Sequence, residues 1–348
     1  MLNSTEWFGS PIDLDCGTAK DVSLLRNGAL NVYAFLPCPL RVRFRAGFAG
    51  FLHQNRAGLQ REIHCPNIVE GKADALTASL RQAETVEQLP DIIVTNNLGA
   101  VLGEIFRRRF IESGLLTGLA DPSQRAALPG ELANAARDYN LGFLAFGGWS
   151  VIADLSFDGN LPSPRSWTDL ASPAFRNLLA APGHDGEFCA PNVLRLLRER
   201  LGAAGLRAFA GNVRSVRHFS QIVKMIDSGR EERAPFNLLP HAISAQIPTR
   251  KRARRLAFVD GPVLMPVLLF VRTDRISEVR PVLDYFHGPD FASVLAVGDF
   301  LRPAAFDFTT GYSFPNWREM MTTDYSAEVE ALTAEFFAHF RGLPLAAE

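Results

Sequence analysis

Short apolar runs alternate with amphipathic segments along this chain, and most of the runs end at a polar or proline-set turn. Asn31 to Leu36 is six residues long, aromatic and rich in β-formers, which predicts a buried strand. It stops at Pro37-Cys38-Pro39. Beyond it Leu40, Phe44, Gly47, Phe48 and Phe51 recur at helical spacing, with Arg41, Arg43 and Arg45 mostly off that face. The same reading predicts a short strand at Glu62 to Pro66, a helix from Lys72 to Glu87 and a strand from Leu89 to Thr95. The polar turn Asn96-Asn97-Leu98-Gly99 then opens a helix from Val101 to Gly114. Strands alternating with helices in this way predict a mostly parallel sheet.

Tyr139 to Phe157 predicts two extended segments interrupted by Gly147-Gly148. Strands follow at Leu178 to Pro182, Ala234 to Leu239 and Val263 to Val271. Helices follow at Cys189 to Leu206, up to Val223–Gly229, at Ser277 to Phe286 and at Asp324 to Phe340. A chain of 348 residues exceeds one comfortable core, so two domains are expected. The net charge of −1 provides no global field for nucleic acid or an anionic membrane. No apolar run reaches the roughly 18–20 residues that span a bilayer. Cys16, Cys38, Cys65 and Cys189 are widely spaced, which suggests neither a disulfide framework nor a zinc ribbon. Met1 to Asp15 carries Glu6, Asp13 and Asp15 without a basic and then apolar leader pattern, so a cytoplasmic address is expected, with a periplasmic one if a signal has been removed.

The segment Pro164-Arg165-Ser166-Trp167-Thr168-Asp169-Leu170, continuing through Pro173, Phe175 and Arg176, resembles a motif of the type 2 periplasmic binding proteins, the solute receptors of ABC importers. Asp260-Gly261-Pro262 before the run Val263 to Arg272 is similar to that family's return strand, and Pro281 to Ala292 to its C-terminal helix pair. Tyr33 to Arg41 and Asn212 to Ile222 resemble an iron(III)-transporter-like subgroup. The resemblance covers roughly residues 30 to 325. It implies an α/β, two-lobed type 2 periplasmic-binding-protein fold, each lobe a mostly parallel sheet flanked by helices, with the ligand cleft between the lobes. On that expectation residues 1–148 and 262–348 form lobe one and 149–261 lobe two. One departure bears on chemistry. The chain has no Tyr-Tyr pair and no tyrosine between Tyr139 and Tyr285, whereas iron-binding members commonly use a tyrosine pair.

In such a receptor, turns at the carboxyl ends of strands hold the solute. That nominates Cys38, Pro39, Asn96, Asn97 and Trp149 from the first part of the chain, and Asp185, His218, Asn237, His241 and Asp260 from the second. Cys38 and His218 are the candidate ligands for a soft metal, and His64 with Cys65 a weaker addition. Each has a plainer reading: Cys38 as a small buried residue, the asparagines as helix caps, Trp149 as hinge packing, Asp260 as a turn-fixing carboxylate. The basic run Arg250 to Arg255 reads as a solvated loop or a docking patch for a partner or phosphate.

The expected function is a solute-binding protein that closes over a small-molecule or metal ligand, a metal chelate or a small oxyanion, with an ABC permease as a further partner. No cofactor is assigned. The alternative is an enzyme with Cys38 as nucleophile and His218 as base, oriented by Asp185 or Glu187. A regulatory effector-binding domain is disfavoured by the near-neutral charge and the missing helix-turn-helix. Walker A, GxSxG and HExxH motifs are absent from the sequence.

Overall fold

The computed structural model describes residues 24–66, 73–119, 121–157, 160–184, 186–314 and 316–340. Its strands are β1 (Leu30–Phe35), β2 (Ile63–His64), β3 (Ile92–Thr95), β4 (Leu116–Gly118), β5 (Phe143–Asp154), β6 (Leu179–His184), β7 (Glu187–Phe188), β8 (Val213–Arg217), β9 (Phe236–Pro240), β10 (Ala253–Arg255) and β11 (Val263–Arg272). Contacts divide the chain into two units. Unit one runs up to Ala145 and includes Pro266–Val297 and Leu301–Ala304; unit two comprises Phe146–Met265, Gly298–Phe300 and the chain from Ala305.

In unit one the strands lie in the order β2–β1–β3–β11–β4. β1 is parallel to β2 and β3, and β11 is antiparallel to β3 and β4. The predicted first strand is present, and helix α1 (Cys38–Gln54) follows it. Pro37 is the cap residue and Pro39 the second helical residue, a position where a missing amide hydrogen costs nothing. α1 buries Leu40, Phe44, Phe48 and Leu52, spaced four apart on one face. Phe44 and Phe48 stack 5.3 Å apart, and Phe44 meets Phe286 and Phe291 at 6.1 and 6.2 Å. Helices α2 (Ala73–Gln82) and α3 (Leu98–Val101) flank β3 in the chain. The helix predicted over Val101 to Gly114 is broken instead. Gly103 is extended, with ψ 142°, and the chain resumes as a turn at Glu104–Phe106 that runs into a wide helical segment, Arg107–Glu112.

In unit two the order is β10–β5–β9–β6–β8, with β7 folded antiparallel onto β6. β8, β6 and β9 are mutually parallel, and β5 runs antiparallel to β9. The interruption predicted at Gly147-Gly148 does not occur. β5 is one strand, buried at all twelve positions. The glycines serve close approach: a Cβ on Gly147 would lie 2.5 Å from the Phe300 ring, and one on Gly148 would lie 3.0 Å from both the His241 ring and Pro262.

The segment α4 (Pro191–Asn212) of unit two is two helical stretches that meet at a break at Gly202, where φ is 67°. The helix Tyr325–His339 packs on it, with Phe336 at 4.5 Å from Phe188 and 6.1 Å from Phe209. Arg195, 1 % exposed on α4, pairs with Glu199 at 3.0 Å, Glu319 at 3.4 Å and Glu328. By these contacts the chain from Ala305 groups with unit two, where the expectation had 262–348 in lobe one. The boundaries expected after residues 148 and 261 fall instead after Ala145 and Met265. The Ser-Trp-x-Asp-Leu motif is structural. The Asp169 carboxylate accepts from the Arg165 and Ser166 amides at 2.7 and 3.0 Å, and the buried Trp167 indole donates to Gly261 O at 2.8 Å.

Candidate functional site

In unit one, the parallel pairing of β1 with β3 places Phe35 opposite Thr95, and the Asn96 amide donates to Phe35 O at 3.3 Å. Pro37-Cys38-Pro39 and Asn96-Asn97 therefore leave adjacent strands at the same edge, about 4.8 Å apart by strand spacing. Cys38 is the first residue of α1 rather than the middle of a turn, and its thiol lies outside what the structure describes. The start of α1 is poor in donors: Pro39 has no amide hydrogen, and the Leu40 N–H is taken by Pro37 O at 2.9 Å. Arg41 folds back, donating from Nε to Leu36 O at 2.8 Å with its guanidinium 5.3 Å from the Phe35 ring centre. Asn97 is the cap residue of α3, but its side chain makes no capping bond; its amide donates to Thr95 Oγ1 at 3.0 Å. Both asparagines are half-buried.

In unit two, β6 lies between β8 and β9, so Pro182, Arg217 and Pro240 stand at one edge of the sheet. Antiparallel β5 brings Trp149 opposite Pro240. Helix α5 (Phe219–Met225) starts from His218, whose Nδ1 accepts from the Ser220 amide at 3.3 Å and sits 2.9 Å from Ser220 Oγ. Helix α6 (His241–Ser244) starts directly after β9. Burial pushes the His241 imidazole down to about 4; nearby Arg255 adds to the shift and Asp299 opposes it. His241 is therefore neutral near pH 7, and its Nε2 is buried without a hydrogen-bond partner. Trp149 is 3 % exposed and packs 6.1 Å from Phe219.

The structure thus gathers Trp149, His218 and His241 at one end of the unit-two sheet, together with Arg217, which the sequence reading did not nominate. The only signal was its place as the last strand residue before a helix start. Glu187 lies exposed on β7, and Asp185 lies outside the described residues, as does Cys16.

Other nominated side chains have partners within the fold. Asn237 is 1 % exposed, and its amide group donates to Ile152 O at 3.3 Å and Ala234 O at 3.0 Å, so both its hydrogens serve the sheet. Asp260 fixes a turn: one carboxylate oxygen pairs with Arg200 and accepts from the Trp167 amide at 3.4 Å, while Ser313 donates to its carbonyl at 2.6 Å. His64 and Cys65 are buried at the outer strand β2, and burial pushes the Cys65 thiol up to about 12. The basic run is mostly spent locally. Lys251 donates to the Val223, Lys224 and Ile226 carbonyls at the end of α5, Arg252 pairs with Asp227, and Arg255 pairs with Asp299. Among the described residues no three His, Cys, Asp or Glu side chains are grouped to hold a metal, and no helix is long and apolar enough to cross a membrane.

Solved structures with this fold include the apo ferric ion-binding protein A of Pasteurella haemolytica, 14% identical over 91% of this chain and 100% of that one, with a TM-score of 0.63. Iron-bound HitA from Pseudomonas aeruginosa is 14% identical over 88% of this chain and 98% of its own, with a TM-score of 0.62. A Trichodesmium protein in complex with iron and citrate is 13% identical over 89% and 98%, with a TM-score of 0.59. At such identities the likeness carries the fold, which is that of a type 2 periplasmic binding protein. No curated protein sequence matches the chain. The family model of the bacterial extracellular solute-binding proteins matches residues 87–326, more than half of the sequence, and the chain belongs to that family.

Proposed function

We propose that this solute-binding protein is the receptor component of an ABC importer, acts in the periplasm and takes up a metal chelate or a small oxyanion-bearing solute. Family membership is the observation that carries the receptor reading, and it favours recognition over catalysis for Cys38 and His218. The extracellular description of the family supports the periplasmic alternative to the cytoplasmic address expected from Met1 to Asp15. Solute contacts are assigned to Cys38, Pro39, Asn96 and Asn97 on the edge of unit one, and to His218, His241 and Trp149 on the edge of unit two. The structural relatives described with iron support a metal-linked solute. A bare ferric ion fits less well than a chelate, because no tyrosine lies between Tyr139 and Tyr285.

The test is a thermal-shift screen of ferric, zinc and copper salts, their citrate chelates, inorganic oxyanions and vitamin-like solutes. At least one class should raise the melting temperature in proportion to its occupancy. A Cys38→Ser variant should lower the affinity of any thiol-dependent hit. A flat response across all classes would refute the receptor reading.

A further inference from the structure

Four arginines of unit two are buried or half-buried, and three of them have side-chain partners, although the Nε of Arg214 and of Arg233 is also buried without a hydrogen bond. Arg195 pairs with carboxylates, Arg214 donates to Glu231 O at 2.8 Å, and Arg233 lies 3.7 Å from the Asp154 carboxylate and 4.1 Å from the Phe157 ring centre. Arg217 is the exception. Among the described residues its half-buried side chain forms no hydrogen bond or ion pair through any of its nitrogens, the buried Nε included. A native fold rarely leaves a buried charged donor unmet, because the desolvation cost is then uncompensated. Such a group calls for a partner supplied from outside.

Its location says which. Arg217 ends β8 in register with Pro182 of β6. The end of β9 lies on the far side of β6, about 10 Å away by two strand spacings. There His241 presents a second buried, unpartnered nitrogen, Nε2. Near these strand ends Glu187 lies exposed on β7, and the Asp299 carboxylate that acts on His241 is paired with Arg255 at 2.8 Å, its charge offset by that guanidinium. A guanidinium presents donors in a planar fork that matches a carboxylate or a tetrahedral oxyanion.

We propose that Arg217 is a solute-contacting, specificity-determining residue that binds an anionic group, so that the solute is an anion: a free oxyanion or the carboxylate shell of a metal chelate. The inference rests on the receptor reading and narrows it to a charge class.

The experiment measures melting temperature and titration calorimetry for the wild type, Arg217→Met and Arg217→Lys. The probes are inorganic phosphate, sulfate, citrate and ferric citrate, with spermidine as the cation and glucose as the neutral solute. One or more anions should bind the wild type. Arg217→Met should weaken that anion roughly 10- to 100-fold, the worth of a charge-assisted hydrogen bond. Arg217→Lys should retain part of the affinity, a point charge replacing the fork. Without ligand, Arg217→Met should melt at or above the wild type, since it removes an unmet buried donor. Binding of ferric citrate in preference to citrate, phosphate and sulfate identifies the chelate source; the reverse identifies the free oxyanion. Anion affinity unchanged in Arg217→Met, with a lowered melting temperature, would make Arg217 structural and overturn the proposal. Binding of spermidine or glucose without any anion overturns it and leaves the receptor reading standing. No response to any probe in the wild type overturns both.

Discussion

Replacing His241 with glutamine removes one titration from a buried position while keeping a polar side chain of similar reach. In the folded protein burial holds the imidazole at about 4, against its ordinary 6.5. The unfolded chain therefore binds a proton in this window that the folded chain refuses. Stability from this group is intact above about pH 6.5, falls as the pH drops towards about 4, and is level below that. Between about pH 7.5 and about pH 4.5 the loss from His241 alone is about 2.5 kcal/mol. Glutamine does not titrate, so the fall in unfolding free energy between those two pH values should be smaller in His241→Gln by that amount. Urea unfolding followed by tryptophan fluorescence at both pH values measures the difference. His287, also lowered by burial, and Glu199, raised by burial, titrate in both proteins and cancel in the comparison. An equal acid-induced loss in the wild type and the variant would refute a neutral, buried His241.

Three further outcomes are expected. Gly147→Ala forces a methyl to within 2.5 Å of the Phe300 ring and should cost about 1–3 kcal/mol in urea unfolding, with part recovered by adding Phe300→Leu; no loss would mean that β5 has room there. Arg195→Met strands Glu199, Glu319 and Glu328 around an apolar side chain and should cost about 3–5 kcal/mol, with earlier proteolytic cleavage of the helix Tyr325–His339 as the local readout. Cys65, buried with its thiol pushed up to about 12, should resist iodoacetamide at neutral pH and label only after denaturation, as read by peptide mass mapping; rapid labelling of the native protein would contradict its burial.

Part of the candidate site was legible in the sequence, and the reason is locality. Pro37-Cys38-Pro39 marked a strand-to-helix junction because a proline at the start of a helix follows from backbone geometry alone. His218 and His241 were nominated as residues of turns at strand ends, and a helix begins at each. What engages Asn237 and Asp260 is which donors and acceptors fold beside them. The Asn237 amide is consumed by Ile152 O, 85 positions away in the chain, and Asp260 by Arg200, 60 positions away. Arg217 escaped notice for the same reason, since an unmet donor is visible only once every neighbour is in place.

The sequence by itself determined the alternation of strands and helices, the turn chemistry between many of them and, through the Ser-Trp-x-Asp-Leu segment and the order of its other motifs, the fold. The first two depend on periodicity and on residues a few positions apart; the fold came through resemblance to a family. Only the tertiary structure decided that Gly147-Gly148 continues a strand rather than breaking it, that the chain from Ala305 belongs to unit two, and that His241 is held neutral. Those outcomes turn on Phe300 against Gly147, Glu328 against Arg195 and the burial of one imidazole. Contacts between residues a hundred or more positions apart leave no local trace in the pattern that predicts the elements.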